Sequence, residues 1–172
     1  MARWLLSLIS NLEVNVVKKK LIQSDNYSNC GITKDEYALL KVQYPSAVVV
    51  KQYVFPNGNL GVIQLNMIGR HSHLSRNKIT YQLILDFREF PHKIPECFVR
   101  SPNCSQIRHS NIHHGGYHSI APNIELCPIC IGGFSSVFDS LPKDRTRRFN
   151  GIIHQLQSVL SNPNPRDSAR SG

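Results

Sequence analysis

Hydrophobic positions repeat with a helical period at both ends of the chain and with shorter, strand-like runs between them. Trp4, Leu5, Leu8, Ile9 and Leu12 fall on one face of a helix within Met1–Val17. Thr33 followed by Glu36 forms a capping-box pattern, and Pro45 stops what it starts, so a helix is expected from about Lys34 to Tyr44. Val48–Phe55 reads as a strand, "PNGN" at 56–59 as a turn with Gly58 free to take positive φ, and "LGVIQLNMIG" and "KITYQLILDF" as two more strands. Pro91 and Pro95 frame an extended turn before a short fourth strand, Cys97–Arg100. From Asn103 to Gly133 no regular period is present, and a run of that length inside a domain is usually functional. Phe149, Ile152, Ile153, Leu156, Val159 and Leu160 restore the helical period until Pro163. The order predicts an α+β fold: an N-terminal helix, a four-stranded antiparallel meander, a long irregular loop and a closing helix.

The 172 residues suit a single domain. The formal charge of +9 draws on Lys18, Lys19, Lys20 and the basic run from Arg145 to Arg148, clusters suited to solvated helix faces or to steering an acidic protein partner. No helix-turn-helix or RNA-binding signature accompanies them, so specific nucleic-acid binding is not expected. Ser7, Ser10, Asn11 and Glu13 interrupt the first apolar run and argue against a signal peptide. No stretch approaches the roughly 20 apolar residues that span a bilayer. A cytoplasmic protein is expected, with its five cysteines reduced.

Two of those cysteines are Cys127 and Cys130, in "IELCPICIGG". The spacing fits half of a zinc site, which Cys97, Cys104, His109, His113, His114 or His118 could complete, although no second cysteine pair with metal-binding spacing is present. It also fits one reactive sulfur beside a buried neighbour or resolving thiol, the reading favoured because only half of the zinc signal is present. Cys30, Cys97 and Cys104 read as ordinary small buried residues. No glycine-rich nucleotide-binding loop occurs.

The order of elements, together with "YQLILDFREFPHKIPECFVRSP", "IRHSNI" at 107–112, "ICIGG" at 129–133 and "LSNPNPRDS" at 160–168, resembles the ubiquitin-conjugating enzyme family. These segments are similar to the family's third and fourth strands with their proline turn, its His-Pro-Asn motif, its active-site cysteine segment and its Pro-Asn-Pro-acidic segment. Ser110 stands where the motif has proline, and the connection from Asn111 to the cysteines is longer than in the family. The tryptophan that follows the family's cysteine has no counterpart, since Trp4 is the sole one.

The resemblance divides the chain into an N-terminal helical extension (1–32), a conjugating-enzyme-like domain (33–168) and a tail (169–172). It implies an enzyme that carries a ubiquitin-like modifier as a cysteine thioester and passes it to an amine of a target protein. Cys130, flanked by Ile129 and Ile131, matches the family nucleophile better than Cys127. Asn111 matches the asparagine that stabilises the developing oxyanion, His109 a loop-holding histidine, and Asp167 the acid that positions or deprotonates the incoming amine. The implied partners are a separate ATP-dependent activating enzyme, the modifier and the target, with no cofactor and no membrane. A divergent bacterial member of an antiviral defence system fits these departures. A catalytically inactive binding variant and a zinc-stabilised binding module are the alternatives.

Overall fold

The computed structural model describes residues 29–141 and 144–167. The expected helix on Trp4 to Leu12, the Lys18–Lys20 cluster and the 169–172 tail lie outside the described residues.

Thr33 caps the first described helix, α1 (Lys34–Gln43), as its sequence predicts. Its hydroxyl accepts from the Glu36 N–H at 3.1 Å, and Glu36 accepts from the Thr33 N–H at 2.7 Å, satisfying two donors that a helix start leaves without partners. Residues just before this helix belong to the same body: Ile32 is buried and bridges to Leu60.

The fold is α+β, but the antiparallel sheet has six strands rather than four, in the order β1-β2-β3-β4-β6-β5. These are β1 (Val48–Val49), β2 (Val62–Arg70), β3 (Lys78–Asp86), β4 (Glu96–Ser101), β5 (Gly116–His118) and β6 (Ala121–Pro128). The expected first strand survives only as Val48–Val49, because the chain turns into a 3-10 helix at Lys51–Tyr53. Gly58 takes φ +84° in the following turn, the conformation for which glycine costs least. Central strands β2 and β3 follow the hydrophobic pattern closely and pair along their whole length, from Val62 with Asp86 to Arg70 with Lys78.

The run from Asn103 to Gly133, expected to be irregular, supplies the two additional strands and a 3-10 turn at Cys104–Gln106. Its β5–β6 hairpin is short and bulged at Tyr117/His118, and alternation over so few residues does not show in the sequence. A short helix, α2 (Phe134–Ser140), also went unpredicted. The closing helix α3 (Arg145–Ser161) starts earlier than Phe149, where the Asp144 carboxylate accepts from the Arg147 N–H at 2.8 Å.

Phe149, Ile152, Ile153, Leu156 and Leu160 of α3 are buried in one core with Leu65, Met67, Leu83, Leu85 and Val99. On a second, smaller core Ile120 and Leu126 of the β5–β6 region join Val62, Ile84 and Phe98 of the sheet. Arg145 ties α3 to α1: it bonds the buried Glu36 carboxylate at 2.9 Å and donates to the carbonyls of Asn29 and Gly31.

Candidate functional site

Cys130 stands just beyond β6, where the chain leaves the sheet for α2. A short backbone ribbon fixes it there. The Cys130 N–H donates to the Asn111 carbonyl at 2.8 Å, the His113 N–H donates to the Pro128 carbonyl at 2.8 Å, and Ile112 bridges Ile129 between them. Ile112 and Ile129 are buried, so the ribbon is anchored through its apolar pair while Cys130 remains partly exposed. On the other strand side, the Ile129 N–H donates to the Cys97 carbonyl at 2.8 Å. Gln155 of α3 donates to the Ile131 carbonyl at 3.1 Å, and Gly132, at φ +66°, makes the turn into α2. The chain on both sides of the sulfur is thus held by hydrogen bonds.

His109, Ser110 and Asn111 are all buried. The Asn111 N–H donates to His109 Nδ1 at 3.2 Å, which makes Nδ1 the acceptor and leaves Nε2–H to donate to the Leu160 carbonyl at 3.3 Å. The ring of His109 also meets Tyr81 edge to face, with centroids 6.0 Å apart. These contacts make His109 a brace between the loop and the end of α3. The Asn111 side-chain oxygen accepts from the Asn164 N–H at 2.8 Å and from Ser110 Oγ at 3.4 Å. One residue therefore links Cys130, through its main-chain carbonyl, to the 164–167 segment, through its side chain. Asp167 closes the 3-10 turn Pro165–Asp167, and its side chain lies outside the described part.

The other cysteines differ sharply from Cys130. Cys104 and Cys127 form a disulfide with Cα atoms 5.9 Å apart, so the expectation of five reduced thiols fails for this pair. Their bond joins the 3-10 turn to β6 across a separation of 23 residues, a pairing that no spacing rule reveals. It also commits the Cys127 sulfur, which a Cys127–Cys130 zinc clip would need. Among the described residues no group of three or more His, Cys, Asp or Glu is placed to hold a metal ion. Cys97 is buried and its thiol is pushed up to about 12, chiefly by desolvation, with the Asp86 and Glu96 carboxylates adding to the effect. Burial raises Cys30 as well, Glu89 adding to the rise and Arg145 opposing it. Thiolate chemistry is disfavoured at both buried thiols.

Sequence reasoning singled out Cys130, Asn111, His109 and Asp167 as one group; the fold brings the backbones of the first three together, and the side chain of Asp167 lies outside the described part. The same reasoning missed Asn164 and Gln155, whose hydrogen bonds hold the segment, and Cys104, the partner of Cys127. Among the described residues no helix is long and apolar enough to cross a membrane. Comparison with protein-family models, curated proteins and solved structures returned no match to this chain.

Proposed function

We propose that this chain is a ubiquitin-conjugating-type enzyme that holds a ubiquitin-like modifier as a thioester on Cys130 and transfers it to an amine of a target protein. The observation that carries the reading is the hydrogen bond from the Cys130 N–H to the Asn111 carbonyl: it sets the one partly exposed free cysteine beside the His-x-Asn segment despite the long connection between them. The sequence landmarks that resemble the conjugating family supply the rest of the argument.

In this reading a separate activating enzyme delivers the modifier's C-terminal carbonyl to Cys130, displacing its own thiol. A target amine then attacks that carbonyl, and the Cys130 thiolate leaves. Asn111 supplies a non-titrating amide donor to the oxyanion as it develops, held in place by the Asn164 contact. His109 positions Asn111 through its Nδ1 contact and does not act as a base. Asp167 is assigned to the amine by the sequence resemblance. A bacterial antiviral setting follows from the same resemblance, and a cytoplasmic location belongs to the same reading.

The test is single-turnover discharge. The protein is charged with a ubiquitin-like modifier by an activating enzyme and ATP, ATP is removed, and free lysine is added. Asn111→Ala should charge normally and discharge about 100-fold more slowly, the usual cost of losing an oxyanion donor. Failure of the native protein to form any reductant-sensitive adduct overturns the proposal.

A further inference from the structure

A groove of about 600 Å³ runs beside β2, between the end of α1 and the last turns of α3. It exists because β1 is so short. β1 pairs only with Ile63 and Gln64, so from Leu65 to Arg70 that side of β2 has no neighbouring strand among the described residues. Gly69 lets α3 close the far end: a Cβ there would stand 2.6 Å from the Leu160 carbonyl oxygen. Side chains occupy part of the open edge. The Asn66 N–H donates to Ser46 Oγ at 2.9 Å, and the Ile68 carbonyl accepts from Gln157 Nε2 at 2.8 Å. N–H and C=O of one strand residue point to the same side, so the main chain of Asn66 and Ile68 faces the groove.

The charge around this edge has one sign. Arg70 and Lys78 both line the groove, are both exposed, and face each other directly across the β2–β3 pair. Like charges so placed are destabilising unless an anion lies between them. The connecting residues add Arg76, and the run from Arg70 to Lys78 contains no Asp or Glu. Among the described residues no carboxylate lines the groove and none pairs with Arg70, Arg76 or Lys78. Apolar surface is interleaved with the cations, with Ile68 57% and Leu74 85% exposed.

We propose that the open edge of β2, from Asn66 to Arg70, binds an extended acidic segment of a partner protein. The segment adds beside β2 through main-chain hydrogen bonds that replace those of Ser46 and Gln157. Its carboxylates meet Arg70 and Lys78, and its apolar residues cover Ile68. Charge rules out the simplest competitor, since a second copy of this edge would bring like charges together. A single-stranded nucleic acid is disfavoured because Tyr44, the only aromatic in the lining among the described residues, is half-buried and bonded through its hydroxyl to Gln157, and so offers bases no exposed ring to stack on. This inference does not depend on the chemistry of Cys130.

The test uses the full chain and a short fluorescent peptide that alternates Glu with Val, followed by anisotropy. Arg70→Glu combined with Lys78→Glu should weaken binding by about tenfold or more. Arg147→Glu, which reverses an exposed charge on α3, should change it by less than about twofold. Amide shifts on titration should centre on Asn66, Ile68 and Gln157. Equal losses from the Arg147→Glu control, shifts elsewhere on the protein, or tighter binding of a thymine oligonucleotide than of the peptide would each overturn the proposal.

Discussion

Replacing Cys97 with alanine should make stability less dependent on pH, in a direction set by the thiol's burial. In the folded protein the thiol titrates at about 12, against roughly 8.5 for an ordinary thiol in the unfolded chain. A raised folded-state value means that its contribution is complete below about pH 8.5 and is lost progressively as pH rises towards 12. Each unit is worth about 1.4 kcal/mol, so roughly 2 kcal/mol should be gone by pH 10. The alanine variant forfeits about 1 kcal/mol of packing at all pH values. Cys97→Ala should therefore be about 1 kcal/mol less stable than its parent at pH 7 and about 1 kcal/mol more stable at pH 10. Urea denaturation of both proteins at the two pH values gives the answer, because other titrating groups cancel in the difference. A Cys130→Ala background keeps this partly exposed thiol from attacking the Cys104–Cys127 disulfide. A difference that stays constant from pH 7 to pH 10 would refute the burial argument and, with it, the description of Cys97 as inert.

Other substitutions test the packing that places the site. Glu36→Ala removes the capping box and leaves the Arg145 guanidinium without its carboxylate, and should cost about 3 kcal/mol by chemical denaturation. Arg145→Met added to that variant should cost much less than it does alone, because the two residues share one interaction. Gly69→Ala would push a methyl group against Leu160 and the Tyr81 ring, and should destabilise by about 1–3 kcal/mol in a thermal melt. Iodoacetamide at pH 7.5 should modify Cys130 before Cys30 or Cys97, as read by peptide mass mapping.

The parts of the fold legible in the sequence were those with enough residues to establish a period. Strands β2 and β3, each of nine residues, and the apolar stripe of α3 fall where the pattern puts them. The capping box of Thr33 and Glu36 was readable because it is a local exchange of two hydrogen bonds. What the pattern missed was short or non-local. The three-residue β5 has no room to alternate, and β6 is a strand through its pairing with β4 and β5 rather than through its own sequence. The same limit governs the site. Cys130 and Asn111 could be nominated from residue type and resemblance, but the hydrogen bond that joins them spans the whole β5–β6 hairpin. The Cys104–Cys127 bond is equally non-local, and it turns what reads as a Cys-x-x-Cys pair into two sulfurs with different chemistry.

Whether Cys130 carries a modifier as a thioester is read from the intact mass of the full chain. The protein, its Cys130→Ala variant and its Cys97→Ala variant are each incubated with an activating enzyme, a ubiquitin-like modifier and ATP, and each is read with and without reductant. One modifier should add to the native chain and to Cys97→Ala, in a bond cleaved by reductant, and none should add to Cys130→Ala. An adduct that persists in Cys130→Ala, or none in any of the three, would mean that Cys130 is not the carrier.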